Sequence, residues 1–134
     1  MARLVQYVCR YMGVRDIYVE LAIMDDAHIT KLNRQLTGRH SITDCLSLDL
    51  SDASDRFRTI QIMVNAQQAH RQARIRGIRP VNELALYIVH GLLHQFGYDD
   101  TRADQARLMH QAEDQILQTL GYGKVYYTGP KACS

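Results

Sequence analysis

The chain has 134 residues, of which 46% are hydrophobic and 22% are charged, and its formal net charge is +2. This length suits one domain that buries a core without disulfides or structural metal. No apolar run approaches the roughly 20 residues that span a bilayer, and the N-terminus lacks the apolar stretch of a signal peptide. Three cysteines without a CxxC pair favour packing residues in a reducing compartment. We therefore expect a soluble cytoplasmic protein.

The apolar pattern predicts eight elements along the chain. Helical or alternating periodicity, together with Asn, Asp and Gly at the element ends, sets their approximate limits. In chain order these are a helix over 3–12, a strand over 17–24, a helix capped by Asp25 or Asp26 and ending near Leu36, strands over 44–50 and 58–64, a helix from Ala66 toward Gly77, a helix capped by Asn82 and ended by Gly97, and a helix over about 102–120 capped by Thr101.

This order predicts an α+β fold, in which a single domain packs helices against a small mixed β-sheet. The strand over 44–50 alternates polar and apolar residues, which is typical of a strand with one buried face at a sheet edge. A hairpin-like turn over 51–55 should join it to the next strand. Residues 124–134 contain Pro130 and no periodicity, so we expect a loose tail within one domain spanning 1–134.

Two histidines, His90 and His94, lie four residues apart in the most apolar predicted helix. Side chains at i and i+4 share one helix face, so both imidazoles can bind one cation. Gly97 can adopt a left-handed conformation after the helix, turning the chain so that Asp99 or Asp100 supplies a third ligand. Such a set suits zinc with one position left for water. The residues alone leave two alternatives open, a metal site and a pair of hydrogen-bonded core histidines.

The residue after the first histidine bears on the reaction class. In zinc peptidases with the HExxH pattern this residue is a glutamate that acts as general base. Here it is Gly91, which has no side chain. The sequence therefore argues against peptidase activity, whereas phosphodiester hydrolysis remains within the chemistry of a zinc site.

A cluster of four arginines precedes the histidine helix, and its members are Arg71, Arg74, Arg76 and Arg79. The planar guanidinium group suits bidentate contacts with phosphate, so this cluster can form an RNA-facing edge. The alternative is a solvated helix end with ordinary surface arginines.

Three stretches together carry a family resemblance. The run from His90 to Asp99 matches a signature in which His-Gly-x-Leu-His leads to Gly-Tyr-Asp-His. Leu32-Asn33 and the run from Thr43 to Ser47 match Leu-Asn and Thr-Asp-Val-Leu-Ser-Phe. With these motifs and this element order, the chain resembles the YbeY family of endoribonucleases, the bacterial rRNA maturation factors, from about residue 3 to residue 120.

The resemblance implies a metal-dependent, single-strand-directed endoribonuclease that acts on rRNA and the ribosome in rRNA maturation and quality control. It implies one Zn²⁺ per chain, or another divalent transition metal, bound by His90, His94 and Asp100. Catalytic candidates are these three ligands together with the outer carboxylates Asp44 and Asp99. The alternatives are a non-catalytic, ribosome-associated metal-binding factor and a zinc-dependent hydrolase or peptidase.

Three positions depart from the family pattern. Asp100 stands where the family has its third zinc histidine, and an aspartate oxygen is a competent ligand at about 2.0–2.2 Å. This harder donor can shift the preference among zinc, manganese, nickel and iron. The family's functional arginine position is Thr37, and its Gly-Asp-Ile is Arg58-Thr59-Ile60. Near the missing arginine, the candidates for contacts with phosphate are Arg34, Arg39 and His40. The alternative is that they are ordinary exposed loop residues.

Overall fold

The computed structural model describes residues 1–123, so the tail predicted over 124–134 lies outside the described residues. Eight elements occur in the predicted order, and they are α1 (Ala2–Tyr11), β1 (Ile17–Met24), α2 (Asp26–Thr37), β2 (Cys45–Asp49), β3 (Arg58–Asn65), α3 (Ala66–Arg76), α4 (Pro80–Gln95) and α5 (Ala103–Thr119). The single-domain α+β class is therefore confirmed, whereas its extent over 1–134 stays a prediction. None of the helices within residues 1–123 combines the length and apolar character needed to cross a membrane.

The three strands form one mixed sheet with the order β1-β3-β2. Strand β1 runs parallel to β3, with Val19 opposite Ile60, and β2 runs antiparallel to β3, with Cys45 opposite Val64. The antiparallel pair is joined by the predicted turn, and α2 lies in the connection that carries the chain from β1 to β2. Strand β2 therefore lies at one edge of the sheet, as its alternating sequence predicts.

Helices cover both faces of this sheet. On one face Ile60, Ile62 and Val64 belong to the main core, which includes α4, whereas on the other face Met63 packs with Leu46 of β2 and Ile29 of α2. The prediction that β2 has only one buried face is therefore wrong. Its first three residues, Cys45, Leu46 and Ser47, are all buried, because α4 lies over one side of the strand and α2 over the other.

The N-cap residues observed in the structure agree with the predicted ones for two helices and differ for two others. Asp25 caps α2 by accepting a hydrogen bond from the amide of His28 (2.8 Å), and Asn65 caps α3 in the same way. Helix α4 starts at Pro80, earlier than the predicted cap at Asn82, since a proline at the first helical position needs no amide hydrogen bond. Helix α5 has Arg102, rather than Thr101, as its N-cap residue.

The cysteine prediction is only partly testable within the described residues. Cys9 of α1 is a free thiol, and Cys45 of β2 is a fully buried core residue. Cys133 lies outside the described residues, so the prediction for the set of three stays a prediction.

Helix α4 is the central element of the fold. Ten of its 16 residues are buried, including His90 and Gly91. The helix comes close to the sheet at Gly91, where a Cβ would lie 3.4 Å from the side chain of Ile62 and 3.5 Å from that of Cys45. A Cβ at position 91 would therefore be in ordinary contact with the sheet, and a larger side chain would have to enter the packed space between α4 and strands β2 and β3.

We expect Gly91→Leu to lower the free energy of unfolding by about 1–3 kcal/mol relative to Gly91→Ala. Alanine places only its Cβ at ordinary contact distance from Ile62, whereas the leucine branches must enter a filled interior. Alanine and leucine have similar helix propensities, so the comparison isolates packing. Urea unfolding followed by circular dichroism gives both values, and equal stabilities would show that the interface has spare room.

Candidate metal centre

The structure brings His90, His94 and Asp100 together. They are the group of at least three His, Cys, Asp or Glu side chains that can hold a metal ion within the described residues. The histidines lie on α4, and the chain turns after the helix at Gly97, whose φ is +106°. This turn returns Asp100 to the helix, as the predicted role of Gly97 requires.

The distances within this group fit a tetrahedral metal site. The Nε2 atoms of His90 and His94 are 3.1 Å apart, and the two oxygens of Asp100 each lie 3.4 Å from one of these nitrogens. Zinc–nitrogen bonds of about 2.0–2.1 Å give a tetrahedral edge of roughly 3.3 Å between neighbouring ligand atoms. The three side chains therefore match the spacing of a zinc coordination shell.

Hydrogen bonds on the other side of each ring determine which nitrogen faces this centre. The Nδ1 of His94 donates to the backbone carbonyl of Tyr98 (3.1 Å), because a carbonyl can only accept. The Nδ1 of His90 lies 2.8 Å from Oε2 of Glu113, and this carboxylate oxygen accepts a hydrogen bond from the ring N–H. Each neutral ring then presents an Nε2 lone pair to the centre.

The centre therefore brings together atoms that can only accept hydrogen bonds, with no donor between them. Two imidazole lone pairs lie beside the Asp100 carboxylate, whose Oδ1 is buried without a hydrogen-bond partner. Such an arrangement is costly in a buried site unless a cation binds there. The donor set, its spacing and this unsatisfied oxygen together fit a divalent transition metal, so the alternative of two merely hydrogen-bonded core histidines explains less of the geometry.

The electrostatics of His94 favour metal binding. Burial and the neighbouring His90 ring lower the pKa of His94, despite opposing contributions from Asp100 and the Tyr98 carbonyl. A lowered pKa keeps the imidazole neutral near pH 7, which is the form that binds a metal.

Glu113 is a functional residue that was not predicted from the sequence. This residue of α5 is 1% exposed and bridges two histidines, with Oε2 at His90 and Oε1 3.0 Å from Nδ1 of His110. Burial raises the pKa of Glu113, but the hydrogen bonds from His110 and His90 outweigh burial and lower it. The signal in the sequence is an acidic residue between Met109, Ala112 and Ile116 on the apolar side of a helix.

The two outer carboxylates of the prediction lie elsewhere. Asp99 is exposed, and its Oδ1 accepts hydrogen bonds from the amide (2.9 Å) and hydroxyl (2.7 Å) of Thr101, which lower its pKa. Asp44 is 4% exposed; burial raises the pKa values of Glu83 and Tyr87 in the first half of α4, and the charge of Asp44 adds to this effect. Neither belongs to the group of possible metal ligands within the described residues.

The candidate phosphate contacts are exposed on α2 and the loop that follows it. Arg34 lies in the last turn of α2, and Arg39 and His40 lie in the loop. Buried Asn33 holds this loop against the helix by donating from Nδ2 to the carbonyl of Ser41 (3.1 Å). Thr37, at the position of the family's arginine, donates its hydroxyl to Asn33.

The end of α4 that carries His94 is fastened to the sheet. Gln95 donates from Nε2 to the hydroxyl of Ser47 in β2 (2.9 Å), and its carbonyl accepts from the guanidinium of Arg58 in β3 (2.6 Å). Arg58 also pairs with Asp49 of β2 at 2.9 Å. The arginine that departs from the family pattern therefore fixes the histidine helix relative to the edge strand.

The fold and this centre define a small α+β protein with a candidate His-His-Asp metal site on its central helix. A family model described as endoribonuclease YbeY matches residues 1–121. The chain belongs to the endoribonuclease YbeY family.

Curated relatives agree with this assignment, and a solved structure shares the fold. The chain is 33% identical to endoribonuclease YbeY of Carboxydothermus hydrogenoformans, over 77% of this chain and 72% of that protein. It is 25% identical to the endoribonuclease YbeY of Persephonella marina, over 87% of this chain and 78% of that protein. It is 32% identical to the chloroplastic endoribonuclease YBEY of Arabidopsis thaliana, over 87% of this chain but 22% of that one. A solution structure from Thermotoga maritima shares the fold with a TM-score of 0.60 and 19% identity, covering 89% of this chain and 80% of the other.

We expect Zn²⁺ to raise the unfolding temperature of the protein, because an ion that binds only the folded state stabilises it by about 2.7 kcal/mol at a hundredfold excess over Kd. Asp100→Ala should abolish most of this shift. The matched control is Asp99→Ala, which removes the neighbouring carboxylate. This variant should retain the shift in unfolding temperature. Differential scanning calorimetry with and without the metal checks both variants, and equal shifts in the two would contradict the ligand assignment.

Glu113→Gln should weaken Zn²⁺ binding by about 10- to 100-fold, the usual cost of losing a group that orients a metal-binding histidine. The uncharged amide offers one accepting oxygen in place of the two carboxylate oxygens at His90 and His110, so the hydrogen bond that orients His90 is weakened or lost. Chelator competition measures the affinity, with Asp114→Asn on the same helix as the control. Wild-type affinity in Glu113→Gln would show that packing alone orients His90.

Proposed function

We propose that this protein is a metal-dependent, single-strand-directed endoribonuclease that uses one Zn²⁺ and acts on rRNA in ribosome maturation and quality control in the cytoplasm. The observation that carries the proposal is the convergence of His90, His94 and Asp100 in a member of the endoribonuclease YbeY family. The names of its relatives support RNA as the substrate class.

The three ligands and the groups behind them have distinct roles in this proposal. His90, His94 and Asp100 would hold the zinc ion, and three protein ligands are typical of catalytic zinc sites. Bound zinc supplies a Lewis acid and an activated water for phosphodiester hydrolysis. Glu113 and the Tyr98 carbonyl orient the two rings through their Nδ1 atoms.

Substrate contacts come from the loop that leads into β2. Exposed Arg34, Arg39 and His40 can donate to phosphate oxygens, and Asn33 fixes the loop that carries two of them. Either Arg34 or Arg39 would replace the family arginine that is absent at Thr37.

Proton transfer would involve the outer carboxylates Asp44 and Asp99. Asp99 immediately precedes the ligand Asp100 and would accept a proton, although the Thr101 hydrogen bonds that lower its pKa also make it a weaker base. Asp44 would act from its buried position at the start of β2. Comparison of Asp99→Asn with Asp44→Asn in the cleavage assay ranks the two carboxylates.

The competing functions have less support. A peptidase of the HExxH type takes its general base from the residue after the first histidine, and here that residue is Gly91, which faces the sheet. A purely structural metal site would use a fourth protein ligand. Within the described residues the group has three members.

The test is cleavage of an rRNA fragment with single-stranded loops by the purified protein. We expect His94→Ala to lower the cleavage rate by about 10²-fold or more, since removing one group that stabilises a phosphoryl transition state has effects of this order. Chelation should lower the wild-type rate similarly, and Zn²⁺ should restore it. A duplex RNA of the same sequence should be cleaved more slowly.

The matched control for this test is Arg10→Ala, an exposed substitution on α1. Circular dichroism must show that His94→Ala remains folded. Equal cleavage by wild type and His94→Ala would show that the activity comes from a contaminating nuclease, and the proposed function would fail.

A further inference from the structure

Two separate segments of this nearly neutral chain carry basic residues but no acidic ones. Residues 27–43 and 56–82 contain no aspartate or glutamate, although the chain has 14 acidic residues. These two segments include α3 and all of α2 after its first residue. The surface built by α2, its following loop, α3 and the residues up to Pro80 is called here the α2–α3 basic surface.

Two grooves on this surface have an ion pair between them. One groove of about 490 Å³ is lined by residues of α2 and the following loop, including Asp26, Lys31, Arg34, His40 and Ile42. The other, of about 380 Å³, is lined by His70, Arg71, Arg74, Ile78 and Pro80. Arg71 of the second groove binds Asp26 of the first through two hydrogen bonds of 2.7 and 2.8 Å.

The structure separates the arginines of the sequence cluster by role. Arg76 pairs with buried Glu83 at 3.0 Å, and Arg71 lowers the pKa of Asp26 to about 2. These two arginines stabilise the fold and the contact between α2 and α3. Arg74 and Arg79 are exposed and have no acidic partner within the described residues, as is also true of Lys31, Arg34 and Arg39.

The surface is also connected to the metal centre. Its loop, which carries Arg39 and His40, continues directly into β2. The Cys45 side chain of β2 lies beside Gly91 of the histidine helix, and Ser47 accepts a hydrogen bond from Gln95. The exposed loop of the α2–α3 basic surface is therefore continuous with the buried strand that packs against the histidine helix.

We propose that the α2–α3 basic surface binds the backbone of single-stranded RNA outside the metal centre, with Arg74 and Arg79 as phosphate contacts beyond Arg34, Arg39 and His40. This inference rests on the proposed function for the identity of the polymer. Exposed cations without acidic partners suit phosphates, and the grooves place His40 and His70 beside apolar Ile42 and Ile78, where bases can stack. Single-stranded RNA therefore fits this surface better than a rigid duplex or an acidic protein.

The test measures RNA binding without cleavage. A labelled, unstructured RNA is titrated in EDTA with wild type and with the double variant Arg74→Ala/Arg79→Ala at several salt concentrations. The logarithm of the binding constant falls linearly with the logarithm of the salt concentration, and each lost phosphate contact should reduce the magnitude of this slope by about 0.7. The slope of the double variant should therefore be smaller by about 1.4, and the variant should bind RNA roughly 20-fold more weakly than wild type near 0.1 M salt. Arg74→Lys/Arg79→Lys should retain most of the slope.

The matched control is Arg10→Ala/Arg15→Ala, which removes the same charge from exposed positions on α1 and the turn after it. This control should bind RNA almost like wild type. An equal loss in both double variants would show an effect of net charge alone, and the inference would fail. Stronger competition by an acidic polypeptide than by unlabelled RNA would assign the surface to a protein partner instead and overturn the inference.

The outcome is separable from that of the proposed function. If Arg74→Ala/Arg79→Ala binds like wild type while wild-type protein still cleaves RNA, the inference fails and the nuclease assignment stands. If the variant loses binding while wild-type protein does not cleave, the surface is an RNA site and the nuclease assignment fails.

Discussion

The fold depends on one constraint, which is that a deeply buried helix carries two imidazole rings whose nitrogens must all be satisfied. On α4 the outer nitrogens of the rings reach Glu113 and the Tyr98 carbonyl. The inner nitrogens then have no direction left except toward each other and toward Asp100. The helix α5, the turn at Gly97 and the loop to Asp100 therefore serve the same requirement, and a cation resolves the charge distribution that they create.

Much of this arrangement could be predicted from the sequence, because it depends on local spacing. The pair His90 and His94 follows from the helical repeat, and the turn at Gly97 follows from the freedom of glycine at positive φ. The partner Glu113 could not be placed, because it reaches His90 across 23 positions of the chain and depends on how α5 packs against α4. The burial of both sides of β2 was missed for a similar reason, since periodicity shows which residues alternate but not that helices cover both faces.

The departures from the family pattern have local structural explanations. Asp100 supplies oxygen ligands where the family has a nitrogen, with Oδ2 lying 3.4 Å from Nε2 of His90 and Oδ1 lying 3.4 Å from Nε2 of His94. Thr37 has lost the charge of the family arginine but hydrogen-bonds to Asn33, which holds the adjacent loop. Arg58 of β3 donates a hydrogen bond to the carbonyl of Gln95 at the end of α4. These three residues therefore contact the histidines of the metal centre, Asn33 and the end of α4, respectively.

The close approach of α4 to the sheet at Gly91 also limits how this scaffold can evolve. A glutamate at this position would recreate the HExxH sequence of zinc peptidases, but its Cβ would start 3.4 Å from Ile62 and point into the packed interior. One codon change would therefore produce the peptidase motif without the peptidase chemistry. A lineage on this fold that acquired a new reaction would have to recruit its acid or base from the loops around the centre, where side chains are free to vary.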